Sequence, residues 1–358
     1  MKRFIFVLII VVLLVPGCRT AGDTASLPRG DVSREWIAAA ESFRQEALSV
    51  EAPDVAIPYS IMVVDHGKVV FEQWYEGTTP ESTIEVYSVS KVVMALAAGC
   101  AVEDGLFRVD DKVIGFFPDQ LPQAVSDTLS AMTVRDLLTM TCGMEETPKL
   151  ISVFSGNKDF DWIKEFFNSR QTSLPGTSFY YNFFAPFIVA AILEKTSGMG
   201  VVDYIRPRLL EPLHITDLEW DDSPSGICVG GWGMRLCTED MAKIGQLLLQ
   251  RGKWNGRQLV SAQWVDTMTS NLVPSIPLNA FTSRKDPEML HNPRNDHSQG
   301  YGYYVWRGNY DTYRAEGMRG QYIIVKPEKE LVFVITSNSN MDQKYIDLIW
   351  KHFKHLFI

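Results

Sequence analysis

The chain has 358 residues, 46% of them hydrophobic and 22% charged, with 25 Gly and 18 Pro. Those ordinary globular proportions exclude collagen-like, low-complexity and disordered classes and leave ample chain for a buried core. The formal net charge of −9, with no basic stripe to offset it, repels phosphate backbones and argues against nucleic acid as a partner.

The first residues read as an address. Met1-Lys2-Arg3 is basic, and Phe4 to Val15 is an unbroken apolar run. That run falls short of the roughly 20 residues of a transmembrane helix and suits a secretory leader. It ends at Val15-Pro16-Gly17-Cys18, which resembles a bacterial lipobox. The resemblance implies a signal peptide over 1–17, cleavage before Cys18, and lipidation of that cysteine. Residues 18–30, polar and rich in Gly, Ser, Thr and Asp, then form a tether that holds the chain off a membrane surface.

Val32 to Ser49 has helical spacing, with Trp36, Ala40, Phe43 and Ala47 on one face. Tyr59 to Trp74 reads as a β-hairpin turning at Asp65-His66-Gly67-Lys68. Helical segments follow at Thr133–Met140, Asp161–Phe167, Ala185–Thr196 and Thr238–Gln250. Asn271 to Gly300 is a Pro-, Asn-, Asp- and Ser-rich stretch too long for a simple connection. Gln321–Lys326 and Leu331–Thr336 form a second hairpin around Pro327-Glu328-Lys329, and Met341–Phe357 closes the chain as a helix. Strands at both ends with helices between them predict an α+β fold. One antiparallel sheet is made from both termini and flanked by helices, with an inserted, mainly helical lobe. The main domain spans 31–358, its α/β lobe about 31–105 and 300–358 and its helical lobe about 106–299. Cysteines are too few for a disulfide scaffold. Cys100 reads as a buried small hydrophobe, and a Cys228–Cys237 pairing stays open.

Ser88-Val89-Ser90-Lys91 places a hydroxyl one helical turn before an amine. On a helix face such residues lie about 5–6 Å apart at Cβ, so the amine reaches the hydroxyl. The same pattern at Ser155-Gly156-Asn157-Lys158 carries turn formers in its middle. Only the first copy runs into Val92–Val102, a segment without a charged residue that must be buried all round. A lysine at the start of such a helix is expensive unless it works or is paired. There it becomes a base of lowered pKa, while the helix N-terminus favours negative charge on substrate. Tyr180-Tyr181-Asn182 supplies a second element. A Tyr180 phenol near a lysine relays protons, and Asn182 offers an amide to orient lysine or substrate.

The order Ser88-x-x-Lys91, Tyr180-x-Asn182 and a glycine motif before a C-terminal hairpin resembles the serine β-lactamase and penicillin-binding protein superfamily. The nearest likeness is to its class C-like branch of esterases and 6-aminohexanoate-dimer hydrolase. Thr133–Thr139, Pro175-Gly176-Thr177, Glu194–Gly198 and Gly300–Tyr303 fit the same pattern. The resemblance implies a β-lactamase/transpeptidase-like fold and an acyl-serine mechanism without cofactor or metal. It also implies an oxyanion hole from the backbone N–H groups of Ser88 and Met318. The third motif departs from the family's Lys-Thr-Gly or His-x-Gly, reading Ala315-Glu316-Gly317-Met318-Arg319. Gly317 keeps the close backbone approach. The family's cation is missing, Glu316 would repel a substrate carboxylate, and Arg319 is a partial substitute.

The expected function is an exported, membrane-anchored serine hydrolase acting on a small ester or amide. The alternatives are a β-lactamase or D-Ala-D-Ala peptidase, or a non-catalytic lipoprotein that binds cell-wall peptides. A Ser-His-Asp hydrolase would need a nucleophile elbow, and the chain has no G-x-S-x-G. His352-x-x-His355 lacks a third ligand and reads as an exposed helix end. Oligomeric state is not encoded in any feature of the sequence.

Overall fold

A computed structural model describes residues 25–275, 295–341 and 343–358. The leader over 1–17, Cys18 and most of the Asn271–Gly300 stretch lie outside the described residues.

Helix α1 (Arg34–Leu48) is followed by the hairpin β1 (Ala56–Asp65) and β2 (Lys68–Trp74). Its turn residues His66 and Gly67 have φ of 48° and 75°, the positive-φ pair that a two-residue hairpin turn requires. The chain returns to the same sheet only near its end. There it lays down β3 (Trp306–Arg307), β4 (Tyr313–Gly317), β5 (Gln321–Lys326) and β6 (Leu331–Ser339). The sheet order is β3-β4-β5-β6-β1-β2, and every neighbouring pair is antiparallel. In the β1–β6 pairing, Ala56 faces Ser339 and Asp65 faces Leu331.

Each face of the sheet has its own apolar layer, because β-branched and aromatic residues alternate across the pleat. On one face α1 and the C-terminal α5 (Gln343–Phe357) pack Trp36, Phe43 and Phe353 onto Phe333 and Ile335. On the other, α4 (Thr238–Leu249) crosses β1, β5 and β6. Beyond it α2 (Ser90–Glu103) and α3 (Ala185–Ser197) continue the core. Residues 90–101 of α2 are all buried, as the charge-free run from Val92 onward demands. The described residues between β2 and β3 are mainly helical, with a few short ribbons.

Two expectations change, and the pairing left open between Cys228 and Cys237 is not formed. The end of the expected 18–30 tether is docked rather than free. Leu27 is buried, Gly30 N–H donates to Val69 O at 2.9 Å, and Val69 N–H donates to Pro28 O at 2.8 Å. Arg29 lies 2.7 Å from both Glu72 and Glu239, which anchors this segment along the β2 edge. Cys228 and Cys237 are free thiols, as are Cys100 and Cys142. His352 is not an exposed end: its Nε2 bonds Glu46 Oε2 at 2.9 Å and its ring packs edge-on against Phe43.

Candidate active site

Ser88 lies in a 3-10 turn, Tyr87–Val89, that leads into α2. Tyr87 has a φ of 47°, a left-handed backbone that costs a non-glycine residue about 1–2 kcal/mol. Surrounding contacts hold it there. Val86 N–H donates to Met234 O at 2.9 Å, and Ser90 Oγ donates to Tyr87 O at 2.5 Å. The end of β4 presses on the same segment. A Cβ added to Gly317 would lie 2.2 Å from Val86 O, so only glycine permits this approach. Met318, the next residue, follows directly beside the nucleophile turn, with a side chain 51% exposed.

Lys91 sits one turn along from Ser88. Its Nζ donates to Ser88 Oγ at 2.8 Å and to Gly231 O at 2.8 Å. The side chain is buried. Burial pulls its pKa down to about 7, while the charge of Glu146 acts in the opposite direction. Such an amine is substantially neutral at physiological pH and able to accept a proton. The decoy Ser155–Lys158 shares no helix, because Gly156 breaks the chain at a φ of 90°.

The phenol at the site is Tyr181, not the predicted Tyr180. The Tyr181 hydroxyl is hydrogen-bonded to Ser88, and its ring centroid is 5.1 Å from Lys91 Nζ. Burial pushes this phenol's pKa upward, so it rests protonated. Tyr180 turns the other way and hydrogen-bonds Glu146. Asn182 does not orient Lys91 or face substrate. It is fully buried, its Oδ1 accepts from the N–H groups of Phe184 and Ala185, and its Nδ2 donates to Met144 O at 2.9 Å. Asn182 thus satisfies the open N–H groups at the start of α3. Phe183 takes the place beside the lysine, its ring centroid 5.6 Å from Nζ.

Glu146 was not anticipated. Its Oε1 accepts from Phe183 N–H at 2.7 Å, and burial raises its pKa. The sequence signal for it is slight, one carboxylate in a pair of adjacent glutamates.

Behind Tyr181 lies a buried polar chain. Tyr181 stacks on Trp306 with 5.6 Å between centroids, and Trp306 meets His297 edge-on at 4.9 Å. His297 Nδ1 bonds Gln343 Oε1 at 2.7 Å and its Nε2 bonds Glu316 Oε1 at 2.8 Å. Arg314, fully buried, holds Glu316 Oε2 at 2.8 Å and Asp296 Oδ2 at 2.5 Å. Burial works against the Glu316 carboxylate, yet His297 and Arg314 hold its pKa at about 2. The expectation that Glu316 confronts substrate with a free charge therefore fails, since two cationic or hydrogen-bonding partners occupy it. Arg319 is exposed at the rim, donating to Asn338 Oδ1 at 2.8 Å and hydrogen-bonded to Tyr87.

A strained serine turn, a buried amine on its hydroxyl and a phenol against the same oxygen form an arrangement suited to acyl transfer. A family model described as Beta-lactamase matches residues 50–352. The chain belongs to the Beta-lactamase family. Over 262 residues it is 22% identical to the 6-aminohexanoate-dimer hydrolase of Paenarthrobacter ureafaciens, covering 68% of this chain and 67% of that one. The solved structure of EstCE1, a hydrolase with promiscuous acyltransferase activity, superposes with a TM-score of 0.68 at 18% identity. It covers 89% of this chain and 98% of that one. The octameric penicillin-binding protein homologue from Pyrococcus abyssi has the same TM-score at 20% identity, covering 89% and 77%. The α+β architecture drawn from both termini is thus the β-lactamase/transpeptidase-like fold.

Counted from the tyrosine that bonds Ser88, a Tyr-x-Asn pattern would run Tyr181-Asn182-Phe183, with a phenyl ring at its last position. The family's third-motif cation falls on Ala315, which is buried.

Proposed function

We propose that this family member is a serine hydrolase that cleaves an ester or amide bond through an acyl-Ser88 intermediate. The observation that carries the reading is the 2.8 Å contact from the buried Lys91 Nζ to Ser88 Oγ. Ser88 Oγ attacks the substrate carbonyl carbon as its proton passes to neutral Lys91, with Tyr181 completing the relay. The backbone N–H groups of Ser88 and Met318 receive the oxyanion. The scissile C–O or C–N bond then breaks, and the leaving alcohol or amine departs with the proton. Water repeats the sequence in reverse roles, forming the carboxylic acid and restoring the Ser88 hydroxyl. Hydrolase names among the relatives favour the same chemistry.

A fluorophosphonate probe tests this directly. Covalent labelling of the wild type at Ser88, absent in Ser88→Ala, is the expected result. No labelling by any activated acyl or phosphonyl donor would instead favour a cell-wall-peptide binder. A β-lactamase or D-Ala-D-Ala peptidase activity would appear as turnover of nitrocefin or of D-alanyl peptides.

The leader reading extends the proposal to location: export, followed by anchoring through lipid on Cys18. Metabolic labelling with palmitate, lost in Cys18→Ala together with membrane association, is the expected outcome.

A further inference from the structure

Beside Lys91 stands an aromatic wall that the acyl-transfer reading does not use. Phe183, 5.6 Å from Lys91 Nζ, lies 5.7 Å between centroids from Phe154. Phe154 in turn lies 5.2 Å from Trp232. Trp232 follows Gly231, the residue whose carbonyl receives the Lys91 bond. The wall is rigid, because Trp162 and Phe184 pack behind Trp232 at 6.1 and 5.6 Å. It is also open. Phe154 is 52% exposed, neighbouring Ile151 is 42% exposed, and Phe183 and Trp232 are half-buried. A large exposed ring stacked on others, one of them against the lysine that bonds Ser88, is an apolar patch that gains from being covered.

Charge points the same way. Ala315 supplies no cation, Arg319 is tied to Asn338 and Tyr87, and the Glu316 carboxylate is neutralised internally. Phe183 puts a phenyl ring at the last position of the Tyr181-Asn182-Phe183 pattern. Among the described residues an anionic substrate would find no dedicated partner here, whereas a neutral one with a hydrocarbon arm would find an apolar surface.

We propose that Phe154, Phe183 and Trp232 form an apolar subsite seating the hydrocarbon arm of a neutral ester, so that this enzyme selects such esters over anionic acyl donors. The inference rests on the serine-hydrolase reading. The arm is either the acyl chain or the alcohol, two sources of one chemistry.

The test measures kcat/KM for p-nitrophenyl acetate, butyrate and hexanoate, for an ethyl-to-hexyl acetate series, and for nitrocefin as the anionic donor. Each buried methylene is worth about 0.8 kcal/mol, so a half-open wall should give about a tenfold rise along one series. The series that rises identifies the arm. Phe154→Ala should cut the long-to-short ratio to below about threefold, and Phe154→Leu should recover most of it, because leucine still covers apolar surface. Two flat series, an unchanged ratio in Phe154→Ala, or nitrocefin outrunning the hexyl substrates would overturn the subsite. Fluorophosphonate labelling separates the two levels. A labelled wild type with flat series overturns the subsite alone, and an unlabelled wild type overturns the hydrolase reading and the subsite with it.

Discussion

Lys91 Nζ and Ser88 Oγ are 2.8 Å apart, and the lysine is buried while the serine is only half-buried. The amine must be neutral to take the serine proton, and burial places its pKa at about 7. Activity should therefore rise with pH through about 7 and fall away below it, where Lys91 becomes an ammonium. The Glu146 carboxylate favours that ammonium, so Glu146→Gln should move the acid limb to lower pH. A kcat/KM profile on the best ester of the series above checks both statements. An acid limb unmoved in Glu146→Gln would remove Glu146 from the electrostatics of the site.

The two adjacent tyrosines separate cleanly by substitution. Tyr181→Phe deletes the hydroxyl on Ser88 and should lower kcat by about 100-fold or more. Tyr180→Phe deletes a bond to Glu146 and should have an effect at least about tenfold smaller. Single-turnover acylation rates, with near-ultraviolet circular dichroism as a folding control, distinguish the two.

Asn182→Ala should be a stability variant first. It strips the cap of α3 and the partner of Met144 O from a fully buried position, at a cost of about 1–3 kcal/mol. Thermal unfolding measures the loss. Asn182→Asp keeps an acceptor for the Phe184 and Ala185 N–H groups and should lose less.

Arg314 lies between two buried carboxylates, Asp296 and Glu316. Arg314→Met would leave both without their cation and should destabilise by about 3–5 kcal/mol, seen as a lower denaturant midpoint. Since Glu316 adjoins Gly317 and Met318, residual activity should fall as well.

Much of this architecture is legible in the residues because the information is local. The Asp65–Lys68 turn lies between β-branched runs, and Val92–Val102 lacks any charge, so hairpin and buried helix follow from neighbours in sequence. The same locality places Ser88 and Lys91 on one face. The identity of the phenol was not legible by that route, because Tyr180 and Tyr181 both precede Asn182 and only the start of α3 decides between them. A usable signal was there: an asparagine shortly before Ala185-Pro186 marks a helix N-terminus, which commits its side chain to capping. His297 is a different case. Its partners Glu316 and Gln343 come from β4 and α5, and no spacing within a polar stretch announces a pairing made across the fold. Arg29 is read as part of a free tether for the same reason, since Glu72 and Glu239 reach it from distant segments.

Because β1 lies between β2 and β6, the strand that begins near the start of the described chain finds one of its two neighbours only in residues 331–339. A ribosome delivers that partner only after the whole segment between β2 and β5, so nascent β1 waits with one edge unsatisfied while that segment is made. Premature stop codons that remove only β6 and α5 should therefore yield insoluble or degraded product rather than a weakened enzyme, although every residue of the serine–lysine–tyrosine cluster has already been made.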